Sequence, residues 1–204
     1  MARIFLVRHG QTEWNRVERF RGRIDVPLNE VGLAQARAAA ERLAREREVV
    51  AVYSGPLDRT MRTAEPIAER LGLAVQPLEA INDLDFGEWQ GMTPAEVEEK
   101  YPDLYRRWQL APHTVDFPGG ESLAALRARA FGAMRELAGR HAGRAFVLVT
   151  HRVVCKVLLC AALGLDNAHY WQIDQDNGAI STFSYRNGLF VVRKVNETCH
   201  LEDE

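Results

Sequence analysis

The chain has few cysteines, no excess of one charge and no long apolar run, and each shortage excludes a class of protein. Its three cysteines (Cys155, Cys160 and Cys199) include no Cys-x-x-Cys pair, which argues against a disulfide framework and favours a reducing compartment. No segment approaches the length of a membrane span, and the N-terminus has no basic leader followed by an apolar stretch. We therefore expect a cytoplasmic protein without a membrane partner.

The net charge of −2 argues against nucleic acid as a partner, because non-specific binding to a chain of phosphates needs a broad basic surface. The charge is nevertheless uneven along the sequence. Residues 1–25 contain six arginines and three acidic residues, so this part of the chain is locally positive. A focused positive region in a slightly acidic protein suits a small anion.

Strand-like and helix-like segments alternate along the 204 residues, a length that fits a single domain. The pattern predicts strands at residues 4–7, 49–53, 73–76 and 145–150, helices after Asn29, at 56–71, from Ser122 and at 153–163, and a hairpin of 180–185 with 189–195. The sequence Arg186-Asn187-Gly188 supplies the hairpin turn. This alternation predicts one α/β domain over residues 1–204, a three-layer α/β/α sandwich with a mostly parallel central sheet and a C-terminal β-hairpin.

Between residues 77 and 120 the pattern loosens, and we predict a small helical insertion or lid there. Thr93-Pro94-Ala95-Glu96 has the form of a capping box with proline at the first helical position, so a short helix should begin at this point. Pro102, Pro112 and Pro118 are expected to break the segment that follows.

The most informative segment is the end of the first predicted strand, where four apolar residues run directly into Arg8, His9 and Gly10. Ligands of open α/β sheets bind at the C-terminal ends of strands. Arginine matches phosphate oxygens two at a time, glycine permits close approach of the backbone, and histidine can act as a covalent nucleophile. The combination points to phosphoryl chemistry. On these three residues alone, a loop histidine beside a solvated arginine remains the alternative.

The longer segment 6–15, Leu-Val-Arg-His-Gly-Gln-Thr-Glu-Trp-Asn, resembles the signature of the histidine phosphatase superfamily, the phosphoglycerate-mutase-like proteins. The resemblance continues in order through four more blocks, at residues 21–29, 53–60, 86–91 and 149–151. It implies the three-layer fold of this family and a phosphomonoesterase. Such an enzyme would hydrolyse a small phosphorylated metabolite through a phosphohistidine intermediate on His9.

The resemblance also implies the catalytic residues. His9 is the nucleophile, and Arg8 and Arg59 clamp the phosphoryl oxygens. His151 ends a predicted strand as His9 does, and it binds the same group and stabilises its charge in the transition state.

The general acid is where the chain departs from the family pattern. Similar members usually carry glutamate four residues before the glycine of Phe-Gly-x-Trp, and Asp83 holds that position here. Aspartate is one methylene shorter, so it either reaches from a shifted loop or works through a water molecule. We predict that Asp83 is the acid, with Asp85 and Glu88 as alternatives that fit the motif less well.

Further residues are predicted to contact substrate. Thr12 and Asn15 resemble the hydrogen-bonding phosphate ligands of the family. Arg21 stands beside Gly22 in the loop that helps to hold the substrate, where relatives often have glutamine, and it either contacts an anion or is solvated. Arg152 follows the second histidine, where many relatives have glycine, and it either strengthens the positive field or points to solvent.

Two segments outside these motifs carry weaker expectations. His113 lies in the proline-rich segment and is expected at the surface. Residues 196–201 resemble a tail found in some relatives, and they either pack near the site or simply wrap around the domain.

Two other functions remain open at this stage. A phosphoglycerate mutase would return the phosphoryl group to a sugar acid, but such enzymes typically carry Glu-Arg-His-Tyr-Gly at residues 83–87 and a longer insertion. A non-catalytic protein that binds phosphorylated ligands is compatible with aspartate at position 83. No clustered ligand motif calls for a metal, and no organic cofactor is implied. We expect a small phosphorylated metabolite as the partner of a monomer or homodimer.

Overall fold

The computed structural model describes residues 1–201, built around one six-stranded sheet. The strands are β1 (Ala2–Arg8), β2 (Val49–Ser54), β3 (Val75–Pro77), β4 (Ala145–Thr150), β5 (Ile180–Arg186) and β6 (Leu189–Glu197). Their order across the sheet is β3-β2-β4-β1-β5-β6. The first four strands in this order pair in parallel, and β5 and β6 add antiparallel as a hairpin. The predicted mostly parallel sheet with a C-terminal hairpin is confirmed.

Helices lie on both faces of this sheet. They are α1 (Glu13–Arg16), α2 (Glu30–Leu43), α3 (Asp58–Leu71), α4 (Pro94–Lys100), α5 (Pro102–Leu110), α6 (Leu123–Arg140) and α7 (Arg152–Ala162). Short 3₁₀ segments occur at Glu79–Ile81, Gly87–Trp89, Pro112–Thr114, Asn167–Gln172 and Cys199–Leu201. Within residues 1–201, none of the helices has the length and apolar character that crossing a bilayer requires.

The alternation of side chains along β1 explains the three layers. Ile4 and Leu6 pack in a core covered by α6 and α7, whereas Phe5 and Val7 pack in a second core covered by α2 and α3. Successive side chains of a strand point to opposite faces, so an entirely apolar strand needs cover on both sides. The three-layer α/β/α prediction is therefore confirmed.

The helix starts follow the capping signals of the sequence. Asn29 Oδ1 accepts from the Gly32 amide at 2.9 Å and begins α2, and Ser122 Oγ accepts from the Ala125 amide at 3.2 Å and begins α6. The capping box of Thr93 and Glu96 begins α4.

The segment from residue 77 to residue 120 contains α4, α5 and short 3₁₀ segments. Pro102 breaks it as predicted: α4 ends at Lys100, Tyr101 is not helical, and Pro102 is the first residue of α5, where its missing amide proton costs nothing. The segment also joins the main core, since Val97, Trp108 and Phe117 are buried in the same cluster as Leu6. It therefore forms a packed wall beside the sheet.

Candidate active site

Two histidines meet at one edge of the sheet because the strands that precede them are parallel neighbours. Arg8, the last residue of β1, is in register with Thr150, the last residue of β4. His9 and His151 follow directly, and the His9 amide donates to the Thr150 carbonyl at 2.9 Å. The two imidazole centroids are 5.4 Å apart, and both side chains are buried.

His9 is held as a neutral imidazole in one tautomer. Its Nδ1 lies 2.6 Å from the carbonyl oxygen of Gly10. Since a carbonyl oxygen only accepts, Nδ1 carries the proton and Nε2 keeps its lone pair. Burial, and then the charges of Arg59 and Arg8, hold the pKa of His9 well below its usual range. His9 Nε2 is therefore a nucleophilic atom at neutral pH.

Arg8, Arg59 and His151 supply buried donors beside this atom. Arg8 donates through Nη1 to the Gln175 carbonyl at 2.5 Å, and Arg59 donates to two backbone carbonyls of the loop after α1. The Nε atoms of both arginines and both ring nitrogens of His151 are buried without a hydrogen-bond partner among residues 1–201. Because buried polar groups in native proteins are nearly always paired, this cluster of unpaired donors indicates an anion site.

Helix α7 adds to the positive potential of this site. His151 is the residue that precedes its first turn, so the N-terminal end of the helix dipole lies beside the imidazole. Helix N-termini with their exposed amides are common phosphate sites. Burial and the charge of Arg59 also hold the pKa of His151 well below its usual range, so its ring is neutral before an anion binds.

Asp83 lies within the same cluster. Its Oδ2 accepts from Arg59 Nη2 at 3.0 Å and is 3.4 Å from His151 Nδ1, while Oδ1 accepts from the Leu84 amide. Burial raises the pKa of Asp83, although the charges of Arg59 and Arg21 oppose this rise. A carboxyl group with a raised pKa keeps its proton to higher pH, as a general acid must.

The two alternative acids lie elsewhere. Asp85 Oδ1 accepts from the Gly87 amide at 2.9 Å, and Glu88 is exposed and accepts from the Tyr101 hydroxyl. Neither carboxylate is among the described residues that line the cleft of His9. Of the three candidates, Asp83 alone contacts Arg59 and His151 in the described part of the chain.

Arg129 of α6 holds the loop that carries Asp83, and sequence reasoning missed it. Its guanidinium donates to the carbonyls of Ala80, Asn82 and Asp83 at 3.0, 2.8 and 2.9 Å, and it also pairs with Glu121. Four interactions from one side chain fix the path of a loop with little secondary structure of its own. No local pattern marks Arg129, because its partners come from a distant part of the chain.

A second loop that the sequence analysis did not single out supports the turn at His9. Asn177 Nδ2 donates to the His9 carbonyl at 3.0 Å, and the Gly178 amide donates to the Arg8 carbonyl at 3.1 Å. His200 donates through Nε2 to the Gly178 carbonyl at 3.0 Å, so the C-terminal segment packs behind the site. The Asn-Gly pair at 177–178 is a turn signal that could have drawn attention to this loop.

The structure puts Thr12, Asn15 and Gly22 in different positions relative to the cleft. Asn15 lines it, whereas Thr12 is fully buried behind Asn15, whose Oδ1 accepts from the Thr12 hydroxyl at 2.9 Å. Gly22 supports Arg59, because its carbonyl accepts from Arg59 Nη2 at 2.7 Å. Its positive φ of 52° is a backbone conformation that residues with a side chain adopt only with strain. Direct ligand contacts of Thr12 and Gly22 stay predictions.

Above the buried cluster the site opens into a cleft of about 620 Å³. Its walls combine aromatic and charged side chains from the loop after α1, α5, α7 and residues 170–177. Arg152 lines the cleft and donates to Asp174 at 3.2 Å, so it does not simply point to solvent. Arg21 also lines the cleft, and its side chain is less buried than those of Arg8, Arg59 and His151.

Two expectations concern residues outside the cleft. His113 is exposed as predicted and lies in a separate groove beside α6. Over the part of the chain that the structure describes, residues 1–201, no group of three or more His, Cys, Asp or Glu side chains converges as metal ligands would.

The chain matches the family model of the histidine phosphatase superfamily (branch 1) over residues 4–198. It is 42% identical over 201 residues to phosphoserine phosphatase 1 of Hydrogenobacter thermophilus, a match that covers 98% of this chain and 95% of the relative. It is 38% identical to a metal-independent phosphoserine phosphatase of Arabidopsis thaliana, with 98% of this chain and 84% of the relative covered. The chain spans 55% of the length of a bifunctional protein of Mycobacterium tuberculosis, to which it is 39% identical.

Among solved structures, the fold is similar to that of YhfR from Bacillus stearothermophilus. The TM-score is 0.94, the sequences are 28% identical, and the match covers 99% of this chain and all of the other. The similarity therefore extends over the sheet, the wall formed by residues 77–120 and the C-terminal hairpin.

Proposed function

The chain belongs to the histidine phosphatase superfamily, branch 1, and we propose that it hydrolyses phosphomonoesters of small metabolites with His9 as the nucleophile. The observation that carries this proposal is the cluster of unpaired, buried donors of Arg8, Arg59 and His151 beside a neutral imidazole. Such a cluster suits a phosphoryl group better than a neutral ligand. Asp83 pairs with Arg59, but the buried charge of Arg8 has no carboxylate partner among residues 1–201 and therefore favours an anion.

In the first step, His9 Nε2 attacks the phosphorus atom, so the N–P bond forms while the P–O bond to the leaving group breaks. Asp83 gives its proton to the leaving oxygen, which departs as an alcohol. Arg8, Arg59 and His151 bind the equatorial oxygens and stabilise their charge in the transition state.

In the second step, Asp83 is a carboxylate and takes a proton from a water molecule. The water oxygen bonds to phosphorus, the N–P bond breaks, and inorganic phosphate leaves. His9 returns to its neutral form, with Nδ1 still donating to the Gly10 carbonyl. Cationic side chains here neutralise charge that a metal ion neutralises in other phosphatases, so the proposal includes no cofactor.

The substrate proposal is a phosphorylated amino acid or sugar acid, phosphoserine first. It rests on the names of the relatives and on a cleft of about 620 Å³ lined by both charged and aromatic residues. We also propose a cytoplasmic location, because Cys155, Cys160 and Cys199 are all free thiols. A monomer or homodimer remains the expected state, which sedimentation would measure.

The test is phosphate release from phosphoserine by the purified wild type and by His9→Ala, with His113→Ala as the matched control. His113 is exposed and outside the cleft, so its variant should keep wild-type turnover. His9→Ala should lose activity while its circular dichroism and unfolding midpoint stay close to those of the wild type. Brief exposure to phosphorus-labelled substrate should mark wild-type His9 with an acid-labile label.

Three results would contradict the proposal. A folded His9→Ala protein with near-wild-type turnover would exclude the covalent intermediate. Binding of phosphorylated ligands by the wild type without any turnover would indicate a non-catalytic binding protein. If phosphorus NMR instead showed transfer to another hydroxyl of a phosphoglycerate, the enzyme would be a mutase.

A further inference from the structure

Arg21 differs from the other arginines of the cleft because its side chain has no hydrogen-bond partner in the described part of the chain. Four arginines line the cleft, Arg8, Arg19, Arg21 and Arg152. Three of them donate to described residues: Arg8 to the Gln175 carbonyl, Arg19 to the Gly91 carbonyl at 2.6 Å, and Arg152 to Asp174. Arg21 makes no side-chain hydrogen bond to any of residues 1–201, and its Nε is buried without a partner.

Arg21 and the proposed acid Asp83 both line the cleft. Asp83 is the carboxylate that acts most strongly on Arg21, yet Asp83 Oδ2 bonds to Arg59 and Oδ1 to the Leu84 amide. An in-line displacement puts the leaving oxygen opposite His9, against the acid. The leaving group therefore extends into the cleft that Asp83 and Arg21 both line.

The phosphoryl oxygens already have donors in a deeper layer. Arg59 and His151 are fully buried beneath the cleft, and Arg8 is almost so. Their unpaired nitrogens supply enough donors for the three equatorial oxygens of one phosphoryl group. Arg21 and Arg152 are only partly buried and line the open cleft, into which the substituents of the leaving group would extend.

Arg21 is charged when the substrate arrives. Burial and the charges of Arg59 and Arg152 lower the pKa of Arg21 to about 10, and the charge of Asp83 opposes part of this. A guanidinium at neutral pH without a partner can bind both oxygens of a carboxylate through two parallel hydrogen bonds.

We propose that Arg21 binds a carboxylate on the leaving group, so that the enzyme selects phosphomonoesters that carry a carboxylate close to the ester oxygen. The inference rests on the proposed phosphatase function and deepens it. It also assigns a use to the arginine that stands where relatives often have glutamine.

The test compares substrates that differ only in the carboxylate. L-phosphoserine and phosphoethanolamine form one such pair, and 3-phosphoglycerate and glycerol 3-phosphate form a second. Wild type, Arg21→Gln, Arg21→Lys and the exposed control Arg16→Gln are assayed with all four substrates and with p-nitrophenyl phosphate. Arg16 lies on the exposed face of α1, outside the cleft.

The wild type should prefer the carboxylate-bearing member of at least one pair. Arg21→Gln should lower kcat/KM for that member about 10- to 100-fold, mainly through KM, because a hydrogen bond between charged groups contributes about 1.5–3 kcal/mol. Its activity on phosphoethanolamine, glycerol phosphate and p-nitrophenyl phosphate should change less than about threefold. Arg21→Lys should recover part of the loss, and Arg16→Gln should match the wild type.

Equal losses on both members of a pair would make Arg21 a fourth phosphate ligand and overturn the inference. So would a wild type that shows no preference within either pair, or an Arg21→Gln variant that retains the preference. A wild type that is inactive on all five compounds would instead contradict the proposed phosphatase function itself, so the two failures are distinguishable.

Discussion

Asp83 Oδ2 and Arg59 Nη2 are 3.0 Å apart and both side chains are almost wholly buried, so the proposed acid and a phosphate clamp form one ion pair. Burial raises the pKa of Asp83, whereas Arg59 opposes that rise. A phosphoryl dianion beside the pair would compete for Arg59 and repel the carboxylate. Both effects favour the protonated acid when substrate is bound.

The first prediction concerns Asp83. Asp83→Asn should lower turnover of alkyl phosphates by about 10²–10⁴, the usual contribution of a positioned general acid. The loss should be much smaller for p-nitrophenyl phosphate, whose leaving group departs with little help from a proton. Asp83→Glu should retain activity, because the longer side chain is the one that relatives use. Steady-state kinetics on both substrate types provide the measurement, and equal losses would move the acid role to Asp85 or Glu88.

The second prediction concerns Arg129, which holds the loop that carries Asp83. Arg129→Met removes the donors to three loop carbonyls, so Asp83 should lose its alignment with the leaving oxygen. We expect about a 10-fold or greater fall in kcat for alkyl phosphates, since small misplacements of catalytic groups can cost up to about 10²-fold. The fall should be smaller for p-nitrophenyl phosphate.

The matched control for this variant is Arg127→Met on the same helix. Arg127 donates to the Leu165 carbonyl, away from the cleft, so its loss should alter both substrate types little. If Arg129→Met lowered activity on the two types by the same factor, Arg129 would be structural and would not act through Asp83.

The third prediction concerns stability and pH. Burial holds the pKa values of His9 and His151 well below the usual range, so below about pH 6.5 the unfolded chain binds protons that the folded chain does not. The free energy of unfolding should therefore fall as the pH drops through this range. Each such histidine contributes at most about 1.4 kcal/mol per pH unit. Urea titrations at pH 7.5 and 5.5 should show a smaller fall in the free energy of unfolding for His151→Asn than for the wild type. Equal falls would contradict the conclusion that His151 is neutral in the folded protein.

The fourth prediction concerns metals. Activity should survive exhaustive treatment with EDTA, because Arg8, Arg59 and His151 supply the charge that stabilises the phosphoryl group in the proposed mechanism. The measurement is phosphate release before and after dialysis against the chelator. Loss of activity that one divalent ion restores would contradict the mechanism.

Local sequence patterns predicted the strands and helices and two residues of the site, Arg8 and His9. The continuous apolar runs of β1 and β4, and the caps at Asn29 and Ser122, depend on residues a few positions apart. Arg8 and His9 were also predicted from one contiguous segment, residues 6–15. Such features are visible in a sequence because their physical causes are local.

The loop 80–88 shows where sequence reasoning needed the structure. The family pattern selected Asp83 by its spacing from Gly87, while Asp85 and Glu88 stayed open as alternatives. What separates the three carboxylates is their contact with Arg59 and His151, which come from α3 and from the residue after β4. Spacing within a loop cannot decide contacts with other elements.

The sequence by itself therefore determined the layered fold, the proposed nucleophile with its neighbouring arginine, and the family. The tertiary structure alone decided that Nε2 of His9 carries the lone pair and that Arg129 holds the loop of Asp83. It also decided that the Arg21 side chain has no hydrogen-bond partner among residues 1–201. The physical reason is that tautomers, ion pairs and unpaired charges depend on distances between atoms that folding brings together. Those distances come from the parallel pairing of β1 with β4 and from the packing of α6 on the sheet.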